Sequence, residues 1–353
     1  MDLGFRPTPR RPDTQIEDPD GPIAADEDGF LGLAFAEDEA SVVLVPVPWE
    51  PTTSYGRGTV GGPSAIRRAS VQVELFDVAL AARGLGNPWA WGVHMRREAP
   101  AIRGLNARAT ALARPIGEDA RRDTAAVNDC SRQLNAWLYE QVNSLLDAGK
   151  LVGVVGGDHS APLGAIRALA ERCPGLGILH VDAHADLRVS YEGFTYSHAS
   201  IMDNVLREAP GVSRIVQVGI RDLCEAELRV IGAEPRVETH FDHVLRDRLA
   251  DGVPWRALCR AIVDALPQRV YVSFDIDGLD PALCPNTGTP VPGGLRWAQA
   301  MTLLDTLLER GREVVGFDLS EVAGASEWDG NVGARLCYRL CGVALASLGA
   351  RDR

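Results

Sequence analysis

The chain has 353 residues, 46% of them hydrophobic and 24% charged, enough to bury the core of one large α/β domain or two ordinary ones. A formal charge of −12 and the lack of any basic run argue against a nucleic-acid partner and against anionic membranes. No stretch approaches the roughly 18 uncharged apolar residues of a membrane span, and the first residues lack the apolar run of a secretory signal.

Residues 1–40 are rich in Pro, Asp, Glu and Gly with little apolar periodicity. They are expected to form an extension, partly disordered or wrapping a neighbouring subunit, ahead of a single domain over 41–353. Short β-branched runs then begin with SVVLVPVP (41–48) and continue through LVGVVGG (151–157), GLGILHVD (175–182), RIVQVGI (214–220), RVYVSFDID (269–277) and REVVGFDLSEV (312–322). Between them lie helix-length segments with apolar residues three and four apart. The longest, 125–149, ends at Gly149 as a C-cap, and 160–173 and 254–266 follow the same pattern. Continuous apolar strands alternating with helices predict a buried, mainly parallel sheet covered on both faces. No repeat or Pro/Ser linker divides the chain. The seven cysteines are odd in number and scattered, without C-x-x-C spacing, and read as reduced, largely buried thiols of a cytoplasmic protein.

In such a sheet ligands bind beyond the carboxyl ends of the strands. Four predicted strands carry polar clusters there: Gly156-Gly157-Asp158-His159-Ser160, then Asp182, His184 and Asp186, then Asp275 and Asp277, and last Glu321. In extended backbone, alternate side chains point the same way, so Asp182-x-His184-x-Asp186 offers three groups to one side and Asp275-x-Asp277 two. Gathered without a partner, these carboxylates would repel one another and lose hydration. Divalent cations remove that difficulty. A set of Asp and His without Cys suits Mn²⁺ or Ni²⁺, and two ions sharing carboxylates would lower the pKa of a water between them. His180 alternates in phase with Asp182 but lies deeper in the strand; it reads as a supporting or core residue. His94, His240 and His243 have no supporting pattern.

GGDHS, HVDAHADLR and SFDIDGLDPALCPNTGTPVPGG resemble the signature segments of the ureohydrolases, the family of arginases, agmatinases, formiminoglutamases and guanidine hydrolases. PWEPTTSYGRGTVGGPSAIR (48–67) is similar to the family's N-terminal Gly-rich segment, so the resemblance spans roughly 41–345. It implies a three-layer α/β/α sandwich around an eight-stranded, mainly parallel sheet of the arginase type. It also implies two metal sites: His159, Asp182, Asp186 and Asp275 at one, and His184 and Asp277, with bridging Asp182 and Asp275, at the other. A metal-bridging hydroxide would attack the guanidinium carbon, Glu321 would pair with that cation, and His198 would deliver a proton to the leaving amine. Asp158 would support the site from behind or cap a helix. Homotrimers or homohexamers are implied, with pairing to a paralogue an alternative.

For the substrate, Cys224 stands where arginases carry an acidic residue beyond the G-[LI]-R-D segment, which disfavours arginine. Agmatine, 4-guanidinobutyrate, guanidine and alkylated guanidines or biguanides such as metformin remain open. So does a formiminoglutamase-type substrate, for whose carboxylate Arg188 is a candidate, although a loop arginine is more often a surface or salt-bridge residue. Trp328 would close a small pocket or pack in the core. Two other classes are a non-catalytic subunit of this fold and a one-zinc deacetylase; the intact ligand set opposes both.

Overall fold

The computed structural model describes residues 5–13, 29–114 and 122–352. All eight strands among them run parallel in one sheet: β1 Val42–Val47, β2 Val93–Met95, β3 Leu151–Gly156, β4 Leu176–Val181, β5 Val212–Ile220, β6 Val237–Phe241, β7 Arg269–Asp275 and β8 Glu313–Ser320. Their spatial order is β2-β1-β3-β8-β7-β4-β5-β6. The six strands expected from β-branched runs are therefore the inner six. β2 and β6, which no apolar run announces, are the two edges.

Strand alternation divides the core in two. Val42 and Leu44 join one cluster while Val43, Val45 and Val47 join the other. On one face lie α3 (Pro100–Ala113), α4 (Thr124–Asp147), α5 (Leu163–Arg172), α6 (Ile201–Glu208) and α7 (Glu225–Ala233). On the other lie α1 (Gly62–Ser70), α2 (Val78–Ala81), α8 (Asp242–Ala250), α9 (Trp255–Asp264), α10 (Trp297–Glu309) and α11 (Glu327–Ser347). The result is the expected three-layer sandwich. Helix ends follow local chemistry: Asp123 caps α4 by accepting from Ala126 N, and Gly149 beyond its last turn takes φ 74°, open to a residue without Cβ.

Within the 1–40 stretch, Phe30 and Leu31 are buried in the first core cluster, and Phe5 N donates to Arg172 O at 2.9 Å. Those described parts lie against this same chain; residues 1–4 and 14–28 fall outside the described ones. No helix among the described residues is long and apolar enough to cross a membrane.

Candidate metal centre

The four strands whose ends carry acidic and imidazole groups are contiguous, β3-β8-β7-β4, so their carboxyl ends form one floor. After β3 the backbone runs so close to Trp49 that a Cβ on Gly157 would meet Trp49 O at 2.0 Å. Asp158 sits under this turn. Its Oδ1 accepts from Ser160 N at 3.0 Å and its Oδ2 from Thr52 Oγ1 at 3.2 Å, while Thr52 Oγ1 accepts from His198 N. α5 starts at Leu163 behind Pro162. Asp158 therefore braces the site's loops and does not cap that helix.

The turn aims His159 at three carboxylates. Its Nδ1 lies 2.9 Å from Asp182 Oδ2 and 3.3 Å from both Asp186 Oδ2 and Asp275 Oδ2. A second group shares Asp182: His184 Nδ1 lies 3.4 Å from Asp182 Oδ1 and 3.1 Å from Asp277 Oδ2. Strand phase is not what gathers them. β4 ends at Val181, Asp186 adopts φ 53°, and Asp277 lies in a short 3₁₀ turn, Ile276–Gly278, after β7. The chain leaves extended geometry at both places and divides the groups between two sides. Backbone N–H donors hold the bends: His184 N to Asp182 Oδ1 at 2.6 Å, Ala183 N to Asp277 Oδ1 at 3.0 Å and Asp277 N to Asp275 Oδ1 at 2.8 Å.

Four carboxylates buried together need positive charge. Burial and the Asp182 charge push Asp186 up to about 7, and burial with Asp277 and Asp182 raises Asp275 well above the carboxylate range. Burial opposes a charge on His159 and His184, yet the surrounding carboxylates outweigh it and raise both well above the imidazole range. Protons are thus drawn to the places where divalent cations would sit, and the grouped donors, with Asp275 beside His159, are imidazole nitrogen or carboxylate oxygen. His180 also lies within this group, but its Nε2 donates to Asp182 Oδ2 at 2.8 Å and its Nδ1 accepts from Gln217 Nε2 at 3.0 Å. It supports a carboxylate and offers no lone pair to the centre.

Glu321 follows β8 in a left-handed conformation, φ 64°, and is 3% exposed. Its Oε1 accepts from His159 N at 3.0 Å, while its buried Oε2 has no hydrogen-bond partner. A Cβ on Gly288 would come within 3.1 Å of that oxygen, so a side chain there would crowd it. Burial, with Asp158 and Asp277 nearby, raises the Glu321 carboxyl well above its usual range. An oxygen so placed can accept a charge-assisted hydrogen bond from a donor that reaches it.

A cavity of about 270 Å³ opens over His184, Asp186 and His198, with Tyr55, Arg188, Tyr191, Asp222 and Glu227 among its other lining residues. His198 stands edge-on to Tyr191, and burial, then the His184 charge, lowers its pKa to about 4. Two expectations need correction, those for Cys224 and Trp328. Cys224 does not line the cavity; it caps α7, and acidic groups are present after all as Asp222 and Glu227. Trp328 is 52% exposed at the start of α11, its Nε1 bonded to Ala282 O, away from the cavity; Tyr55 and Tyr191 are the aromatic walls. Arg188 is engaged, lying 3.5 Å from Glu227 and over the Tyr191 ring at 4.8 Å.

Comparison with known proteins agrees with this geometry. The chain is 34% identical to the N(1)-aminopropylagmatine ureohydrolase of Thermus thermophilus over 89% of its own length and 95% of the relative's. It is 30% identical to the agmatinase of Bacillus anthracis, over 84% and 90%. The solved proclavaminate amidino hydrolase of Streptomyces clavuligerus, 23% identical, superposes with a TM-score of 0.73 over 93% of this chain and 100% of that one, a likeness of fold. The sequence profile of the arginase family matches residues 40–346, and the chain belongs to that family as an agmatinase-like ureohydrolase, an enzyme that hydrolyses C–N bonds of guanidino compounds.

Proposed function

We propose that the chain releases urea from a small guanidino compound with a cationic tail, agmatine or its aminopropyl derivative, using two divalent cations, Mn²⁺ or Ni²⁺. The observation that carries the reading is the unpartnered, buried Glu321 Oε2 beside the acidic floor. A guanidinium supplies the N–H donors and the charge that oxygen lacks. His159, Asp182, Asp186 and Asp275 would hold one cation, and His184, Asp277 and the shared Asp182 and Asp275 the other. Bound there, the pair supplies the Lewis acidity that lets a water lose its proton near neutral pH.

The chain's own groups do the rest. Glu321 fixes the guanidinium so that its carbon faces the floor. His198, held neutral, takes up the proton the water gives and passes it to the amine nitrogen as the C–N bond breaks. The tail is read at the cavity mouth. Among the described lining residues the one guanidinium or ammonium side chain, Arg188, is occupied by Glu227, so 4-guanidinobutyrate, formiminoglutamate or arginine finds no free cation for a carboxylate among them, whereas Asp222 stands exposed to an ammonium. Homo-oligomerisation and a cytoplasmic location belong to the same reading; seven free thiols support the latter.

A urea-release screen tests it, with agmatine, N(1)-aminopropylagmatine, 4-guanidinobutyrate, guanidine and metformin each assayed with Mn²⁺ and with Ni²⁺. Turnover is expected to be highest for a diamine-like substrate. Preference for the carboxylate-tailed or the tailless compounds would overturn the substrate, and one metal per chain would overturn the paired centre.

A further inference from the structure

One layer beneath the centre, five polar residues stand in register across the parallel sheet. Thr239 on β6 pairs with Gln217 on β5, Gln217 with His180 on β4, His180 with Ser273 on β7, and Ser273 with Asp318 on β8. All but Thr239 are fully buried, in positions where such a sheet ordinarily carries Val or Ile. Burying them opposes folding unless each is bonded; Asp318 Oδ2 has no partner, and from Thr239 to Asp182 the bonds run in one direction. Thr239 Oγ1 donates to Gln217 Oε1 at 2.7 Å, and the amide NH₂ faces β4. That group, donor only, gives hydrogen bonds to His180 Nδ1 at 3.0 Å and to Ala185 O at 2.7 Å. His180 must then carry its proton on Nε2, where it is donated to Asp182 Oδ2 at 2.8 Å. Asp182 is the carboxylate common to both metal-ligand groups, and Ala185 lies between His184 and Asp186. On the other arm His159 Nε2 donates to Ser273 Oγ at 2.9 Å, leaving Nδ1 free to face the carboxylates.

Resting on the metal-centre reading above, we propose that Gln217 is a positioning residue for metal binding. It touches neither metal nor substrate, yet it fixes the His180 tautomer, hence the Asp182 carboxylate, and pins the loop that carries His184 and Asp186. Outer partners of this kind typically change metal affinity by roughly 10–100-fold. The test strips the protein of metal, titrates Mn²⁺ by calorimetry and measures the thermal midpoint of the apo-protein. Gln217→Met, similar in length but without donors, should weaken Mn²⁺ binding by roughly 10–100-fold while the apo-protein, which loses the bonds to Thr239, His180 and Ala185, stays folded with a modestly lower midpoint. Thr239→Val, which removes the partner of Gln217 Oε1 but leaves the amide its bond to Ala185 O, should weaken it less and in the same direction. Unchanged Mn²⁺ affinity in Gln217→Met overturns the inference. So does weaker binding matched by a collapse of the apo-protein midpoint in both variants, which is what a merely structural row would give. Failure of the unsubstituted protein to bind Mn²⁺ overturns the metal centre itself, and the inference with it.

Discussion

The floor of the cavity and its mouth are built to opposite standards. On the floor, Asp182, Asp275 and Asp277 are nearly inaccessible and each accepts a backbone N–H, with His180 and Gln217 behind them. At the mouth Tyr55 is 82% exposed, the Asp222 side chain is 66% exposed, and the nearest imidazole nitrogen to Asp222 is 4.0 Å away. An over-determined floor specifies which bond breaks. A lightly constrained mouth specifies only what kind of molecule arrives, and a few substitutions there would change it.

Removing a floor carboxylate is the harshest way to test that contrast. Asp277→Ala should lose more urea-releasing activity than the roughly 10–100-fold typical of an outer-shell partner, and metal analysis should show a reduced content per chain. Full activity in that variant would erase the distinction between floor and mouth. Glu321→Gln comes next. It keeps shape and one acceptor but removes the charge, so kcat/KM should fall by about 10- to 100-fold, the equivalent of the roughly 1.5–3 kcal/mol of a charged hydrogen bond. An unchanged kcat/KM would remove Glu321 from the reaction.

His198 lies between the two regions, and acid should expose its burial. Its folded pKa, about 4, lies below the ordinary histidine value of 6.5, so the unfolded chain binds the proton more readily. Stability attributable to His198 is complete above pH 6.5 and is lost as the pH falls toward 4. Between pH 7.5 and 5 the wild type should lose about 2 kcal/mol more than His198→Asn, measured by denaturant unfolding at each pH. Equal losses would mean the ring is solvated in the folded state.

The same contrast explains what could be read from the chain. Central strands such as RVYVSFD announce themselves because both faces are buried, whereas edge strands β2, VHM, and β6, VETHF, are short and half polar. The residue types at the strand ends identified the floor, although alternation in an extended strand was the wrong reason for their convergence. Asp186 and Asp277 arrive by turns that a two-residue period does not encode. Gln217 left a sign that went unused, a lone amide in the apolar run RIVQVGI. Tyr55 lies within the 48–67 segment, but for it, as for Cys224 and Trp328, spacing does not say which way a loop or a helix's first turn directs its side chains.

Asp222→Asn is the mildest prediction and the one that isolates the mouth. The carboxylate is exposed, so its pairing with an ammonium resembles a surface ion pair of about 0.2–1 kcal/mol. KM for agmatine should rise by about 1.5- to 5-fold with kcat unchanged, since the contact is the same in ground and transition states. The difference between variant and wild type should shrink at high salt as screening replaces it. Guanidine has no tail to place there, and its kinetics should not move. A fall in kcat for both substrates would show instead that Asp222 acts through His184 Nε2, 4.0 Å away, and the boundary between the rigid floor and the permissive mouth would then lie further out than Asp222.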